Sequence, residues 1–181
     1  MAKTDTNGAA ELAAIELLVL DVDGVLADGR IILDGQGREL KSFHVLDGAG
    51  VKYWLRAGKQ AALISGRTSP ATTARAGELG VTIVIQNAKD KLPAYESVLE
   101  RLGLTDAQTA VMGDDLTDLP MMRRCGFAIA PANAVQEVCA AAALVTAARG
   151  GQGAVREAVE HILKHTGKWR EIMARYRRED T

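Results

Sequence analysis

The chain has 181 residues, 48% of them hydrophobic and 25% charged, which suits one globular domain with one sizeable core and leaves no room for a second domain of ordinary size; disordered and collagen-like classes are excluded. Lys and Arg total 22 against 23 Asp and Glu, a net charge of -1, so no global positive field draws a nucleic acid and any anionic ligand must be met by a local cluster. Aromatic residues make up only 4%, too few for the stacking platforms of single-strand binding.

Residues 1–16 contain Asp5, Glu11 and Glu16 and no continuous apolar stretch, so neither a signal peptide nor a membrane partner is expected, and the protein reads as cytoplasmic. Residues 17–20 form an unbroken apolar run that ends in Asp21-Val22-Asp23-Gly24. A buried parallel strand reads this way, with polar chemistry starting at its carboxyl end. Runs at 30–33 and 38–45 flank Asp34-Gly35-Gln36-Gly37 and predict a β-hairpin. Helix is expected over 50–57, strand over 61–64, and helix over 69–79, opened by Ser69-Pro70 and ended by Gly80. The next expected elements are a strand at 81–85, a helix at 92–102, a strand at 109–112 and a helix at 116–125. A strand, helix, strand series follows at 127–130, 135–140 and 143–145, then a helix at 153–165 and a basic amphipathic segment at 168–178. Cys125 and Cys139 lack metal-site spacing and read as small core residues.

Strands alternating with helices of about ten residues indicate an α/β fold, a doubly wound, Rossmann-like parallel sheet. In such sheets ligands bind outside the carboxyl ends of the strands. Every polar strand-end cluster then falls on one rim: Asp21 and Asp23, Ser65-Gly66-Arg67, Lys91, and Gly113-Asp114-Asp115 with Asp118. Asp21 and Asp23 are expected to point the same way, and Asp114 and Asp118 to share one helical face. Carboxylates gathered there repel and raise one another's pKa values, and a hard divalent cation resolves the repulsion. Mg²⁺ fits, because it takes a few carboxylates plus waters and a substrate phosphate oxygen. A Ser hydroxyl and a Lys at the start of a helix suit the oxygens of a phosphoryl group.

In this order the four clusters resemble the haloacid dehalogenase superfamily of phosphohydrolases. The resemblance implies that Asp21 is the nucleophile, forming an aspartyl phosphate, and that Asp23 protonates the leaving alcohol and then activates water. It implies a metal held by the Asp21 carboxylate, the Asp23 main-chain carbonyl and Asp114, with Asp115 and Asp118 acting behind them or through water, and charge neutralisation from Ser65 and Lys91.

The stretches 21–29, 43–48, 65–67, 91–95, 113–115 and 150–157 are similar to one family within that superfamily, the 3-deoxy-D-manno-octulosonate 8-phosphate phosphatases, from about residue 17 to residue 163. Such a substrate carries a phosphate and a carboxylate. The resemblance implies contacts from Asp23, His44, Val45, Leu46, Asp47, Gly48, Lys52, Arg67, Arg75 and Lys91. Arg67 favours the eight-carbon acid over a nine-carbon homologue, whose phosphatases carry Glu there. Gln152 stands where some relatives have Arg, and Arg156 reads equally as a surface charge. A non-catalytic regulatory domain of the same fold is the alternative, although it has no need of Asp21, Asp23, Ser65, Lys91 and Asp114 together.

The intervals from Asp23 to Ser65 and from Lys91 to Asp114 are too short for a cap domain. The expected organisation is an N-terminal extension at 1–16, a single capless domain at 17–165 with its hairpin at 30–45, and a basic tail at 166–181. By the same resemblance, four subunits associate through the hairpins and complete one another's sites. The apolar run Ile31-Ile32-Leu33 on a two-stranded ribbon also favours a partner.

Overall fold

The computed structural model describes residues 11–177. Six parallel strands form one sheet in the order β5-β4-β1-β6-β7-β8, and β2 and β3 form a separate antiparallel pair. The strands are β1 (Leu17–Leu20), β2 (Ile32–Leu33), β3 (Glu39–Leu40), β4 (Gln60–Ile64), β5 (Ile83–Ile85), β6 (Thr109–Met112), β7 (Phe127–Ala130) and β8 (Leu144–Val145). The helices that frame the sheet are α1 (Val45–Arg56), α2 (Pro70–Leu79), α3 (Lys91–Leu102), α4 (Leu119–Met122), α5 (Gln136–Ala141), α6 (Ala154–His165) and α7 (Lys168–Ala174). The doubly wound α/β fold is therefore as expected.

Alternation along the central strands builds the two layers. Leu18 and Leu20 of β1, Leu63 of β4 and Met112 of β6 face a cluster that includes Val51 and Trp54 of α1 and Val155, Val159 and Ile162 of α6. Leu17 and Val19, with Ile64 and Val111, face Tyr95, Val98 and Leu99 of α3, Met121 of α4 and Val138 of α5. All four β1 residues are fully buried. With about 1.5–3 kcal/mol gained by burying each aliphatic side chain, β1 is anchored on both faces, and its carboxyl end is fixed in space.

Several elements differ from the sequence expectations. The hairpin is paired over two residues per strand only, Ile32 with Leu40 and Leu33 with Glu39. Its turn is closed by Asp34, whose Oδ1 accepts from the amides of Gln36 and Arg38. Residues 45–49, expected as strand end and loop, form the first turns of α1 instead. The segment expected as one helix over 116–125 splits into a tight 3₁₀ turn, Leu116–Asp118, followed by α4. Where an extension was expected, Leu12 and Ile15 enter the core and Glu16 pairs with Lys59; residues 1–10 lie outside the described part. The expected tail docks on its own chain as far as it is described, through buried Ile172 and an edge-on contact of Trp169 with Tyr53 at 5.7 Å. Residues 178–181 are likewise outside it. Cys125 and Cys139, expected as small core residues, are half-buried free thiols packed against the core.

Asp47 joins the two helices of one layer. It lies in the first turn of α1, is fully buried, and accepts from the amides of Gly153 and Arg156 at the start of α6, both at 3.0 Å. It thus satisfies orphan donors at a helix N-terminus from another element. Replacing Asp47 with Ala leaves both amides without that partner and is expected to cost about 2 kcal/mol. Urea unfolding measures this; an unchanged midpoint would show that α6 is capped by other means.

Candidate active site

Asp21 follows directly on β1, and its amide donates to Met112 O on β6 at 3.0 Å. The chain then turns tightly, with the Ala27 amide bonded to Val22 O and the Gly24 amide to Ala27 O. Gly24 has φ +90°, and a Cβ there would stand 1.9 Å from Asp114 Oδ2. Only glycine permits both that backbone and that approach. Asp114 follows β6 and Gly113, so parallel pairing of β1 and β6 places its carboxylate opposite Asp21.

Between them lies an ion triad. Lys91, the first residue of α3, is buried and donates to Asp21 Oδ1 and to Asp118 Oδ1, each at 2.6 Å. Asp118, fully buried, turns its other oxygen back to the amides of Asp114 and Asp115 at 3.0 and 3.3 Å. The expectation that Asp114 and Asp118 share one α-helical face is corrected here. The 3₁₀ turn folds Asp118 under the strand end, where it holds Lys91 and the loop rather than facing the cleft.

Asp23 has different partners. Its Oδ1 accepts from Lys41, whose side chain is 1% exposed, and its Oδ2 stands 3.8 Å from Arg67 Nε. Glu39 joins the two cations, bonding Arg67 through Oε1 and lying 3.2 Å from Lys41 through Oε2. Burial pushes the Glu39 carboxyl up, but its bonds to Arg67 and Lys41 outweigh this and leave it below its ordinary value. Ser65, after β4, is buried, and its Oγ accepts from the Arg67 amide at 3.2 Å, which leaves its own O–H to donate.

These residues line one open cleft of about 400 Å³ on the carboxyl rim: Asp21, Asp23, Ser65, Arg67, Lys91 and Asp114 among them. The rim also carries three polar residues that no sequence motif marked, Lys89, Thr117 and Asn133. Asn133 ties the Gly24 carbonyl to the Gly150 amide at 2.9 and 2.6 Å. Lys41 was missed as well. Its signal was the period-two spacing Glu39, Lys41, Phe43, which places two charged residues on the face that Phe43 turns inward.

The remaining expected contacts lie elsewhere. Val45, Gly48, Lys52 and Arg75 line a separate hollow of about 210 Å³, and Arg75 donates to His44 O at 3.3 Å. Leu46 is exposed on the same first turn of α1. Each Asp47 oxygen accepts from an amide at the start of α6, so within this chain Asp47 serves as a cap. Arg156 pairs with Glu160 and stacks over Tyr53, away from the cleft.

The donor set fits a hard cation. Asp21, Asp114 and Asp118 each offer an oxygen within 4.8 Å of the others. The Asp118 carboxylate already accepts three hydrogen bonds, whereas the Asp114 carboxylate accepts none from the described residues and the Asp23 carbonyl is likewise free. Asp21, Asp114 and the Asp23 carbonyl are therefore the oxygens that could hold a small divalent ion. Burial, then the charge of Asp118, raises Asp21 to about 7; burial, then Asp21 and Asp118, raises Asp114 to about 7. Burial alone would lower Lys91, but Asp21 and Asp118 outweigh it and hold it above its ordinary value.

Residues 49–158 match the family of haloacid dehalogenase-like hydrolases. The chain is 40% identical to the 3-deoxy-D-manno-octulosonate 8-phosphate phosphatase of Escherichia coli K12 over 159 residues, 88% of this chain and 85% of that protein. A crystal structure of the Moraxella catarrhalis phosphatase of the same name, in complex with magnesium, phosphate and KDO, superposes with a TM-score of 0.92 at 37% identity, covering 96% of this chain and 99% of the other. The cobalt-bound phosphatase of Haemophilus influenzae gives 0.84 at 40% identity, over 87% and 92%. The chain belongs to the haloacid dehalogenase-like hydrolases.

The raised carboxyls predict proton-linked cation binding. Folded Asp21 and Asp114 hold protons up to about pH 7, whereas their ordinary value is 3.8. The ion-free protein should therefore lose stability as pH rises from about 4 to about 7, because only the unfolded chain sheds those protons easily. Cation binding needs both groups ionised, so two protons leave and Mg²⁺ affinity should fall by up to about a hundredfold per pH unit well below 7. Calorimetric titration with Mg²⁺ measures this, and an affinity constant from pH 8 to pH 5.5 would refute it.

Proposed function

We propose that the protein is a magnesium-dependent phosphatase that hydrolyses 3-deoxy-D-manno-octulosonate 8-phosphate to the free sugar acid and inorganic phosphate, a cytoplasmic step in lipopolysaccharide synthesis. The observation that carries this reading is the convergence of Asp21, Asp23, Ser65, Lys91 and Asp114 in one cleft of a chain 40% identical to phosphatases of that substrate.

Each residue's setting suits its role. Lys91 holds Asp21 by one oxygen and leaves the other to attack phosphorus in line, forming the aspartyl phosphate as the sugar oxygen departs. Lys91 spends two of its three protons on Asp21 and Asp118, so the third can meet a phosphoryl oxygen, as can the free O–H of Ser65. Magnesium held by Asp21, Asp114 and the Asp23 carbonyl supplies further neutralisation of phosphoryl charge. Asp23 gives its proton to the departing sugar oxygen. It then takes one from the water that adds to phosphorus and releases Asp21. Arg67, half-exposed, is placed to read the substrate's carboxylate or phosphate.

In this reading residues 17–165 form one capless domain and the assembly is a homotetramer joined through the hairpins at 30–45. Ile31, Ile32, Leu33 and Leu40 on the hairpin and Val45 and Leu46 on α1 are exposed large apolar side chains, which supports a covered surface there. The hollow of Val45, Gly48, Lys52 and Arg75, with His44 and Leu46 beside it, then serves a neighbouring subunit's cleft.

Phosphate release is measured over a panel of sugar phosphates, including the nine-carbon homologue. The eight-carbon acid phosphate should be preferred and EDTA should abolish turnover. Asp21→Asn should lower kcat by more than about a thousandfold with folding intact; release that survives EDTA or Asp21→Asn removes the mechanism. Light scattering should give a tetramer, and Leu33→Asp a smaller species with reduced kcat/KM on the sugar phosphate. A fully active monomer would defeat the shared-site reading.

A further inference from the structure

We propose that Lys41 is a positioning residue for the proton transfers of Asp23, an inference that rests on the reading of Asp23 as the acid and base. Lys41 sits one residue beyond β3, and its 1% exposed ammonium is shared between Asp23 Oδ1 and Glu39 Oε2. Arg67 and Glu39 complete a set of two cations and two anions. A lysine stripped of water needs partners on every side, and an apolar residue would hold a hairpin to a domain at least as well. The ammonium therefore has another use than adhesion.

That use is legible on Asp23. A carboxylate has two equivalent oxygens until something distinguishes them. Lys41 occupies Oδ1, while Oδ2 is buried and has no hydrogen-bond partner, with Arg67 Nε at 3.8 Å. Oδ1 is held by an ammonium, so Oδ2 is the oxygen left to carry a proton; it is closed to solvent here and opens to the leaving oxygen when the half-exposed Arg67 beside it turns onto the substrate. In the first half-reaction the Oδ2–H bond breaks as the bond from phosphorus to the sugar oxygen breaks; the proton joins that oxygen and its electron pair stays on Oδ2. In the second half water gives a proton back to Oδ2 while its oxygen bonds phosphorus and the bond to Asp21 breaks. Fixing Oδ1 keeps the carboxyl from rotating between the two half-reactions.

The test compares esters that need a proton on the leaving group with esters that do not. With full-length protein and Mg²⁺, Lys41→Met should lower kcat on the sugar phosphate and on simple alkyl phosphates by about a hundredfold or more. The initial burst from nitrophenyl phosphate, whose leaving group departs unprotonated, should change by less than about threefold. Lys41→Arg, which keeps the charge without the ammonium's geometry, should show the same ester-dependent pattern at smaller amplitude and carries the comparison where Lys41→Met does not fold. An equal loss on all esters, or none on alkyl esters, overturns the proposal. The underlying reading is tested separately in the parent protein: an absence of phosphate release from every ester, or an Asp23→Asn variant that keeps alkyl-ester turnover, defeats that reading and the proposal with it.

Discussion

Charge compensation at the carboxyl end of β1 is the constraint on which the site depends. Asp21, Asp114 and Asp118 meet within 4.8 Å in a region that excludes water from two of them, and one internal cation, Lys91, touches two of the three. Three acids against one base leaves an excess of negative charge, and Asp21 and Asp114 respond by holding protons up to about pH 7. Two stable resolutions exist, protonation or a divalent ion, and the second also prepares a place for phosphoryl oxygens. The sheet makes this imbalance tolerable. Full burial of β1 on both faces, with β4 and β6 in register beside it, denies the acids any relaxation that would separate them.

Glycine geometry narrows the site further. Gly24 lies so close to Asp114 that any side chain would displace the carboxylate. A Cβ on Gly113 would stand 2.3 Å from that of Asp118. A Cβ on Gly150 would meet the Gly24 carbonyl at 1.7 Å, where Asn133 also bonds. The loops after β1 and β8 are therefore packed backbone against backbone, while the side chains of Asp114 and Asp118 are packed against the glycines after β1 and β6.

Much of this was legible in the sequence, and the reason is local. Unbroken apolar runs ending in Asp, Ser or Gly-Asp-Asp mark buried parallel strands and their carboxyl ends, so Asp21, Ser65 and Asp114 could be placed on one rim before any coordinates. Lys91 followed from its position at a helix start. Interactions between distant segments were not legible. Asp118 was placed on a helical face because its spacing from Asp114 allows that, whereas the 3₁₀ turn is fixed by the amides it caps. Asp47 was assigned to substrate by resemblance, but its environment is set by α6, more than a hundred residues away. Lys41 and Glu39 lie in a segment expected to be a plain strand; their alternation with Phe43 marks an inward face, but not that this face reaches Asp23.

The two acids that share one strand end thus acquire their difference from opposite parts of the chain. Asp21 is held by Lys91 and, through it, by Asp118, groups that belong to the sheet and its helices. Asp23, two residues on, is held by Lys41 and approached by Arg67, with Glu39 linking them, so its environment is built largely by the hairpin. A short excursion of the chain thereby does two kinds of work. It supplies the ion pairs that set one carboxylate apart from its neighbour, and it carries exposed Ile31, Leu33 and Leu40 on a ribbon too small to be stable alone. A surface that covered those side chains would also hold the ribbon that carries Lys41, and would thereby link the proposed assembly to the geometry of Asp23 through a few residues of backbone.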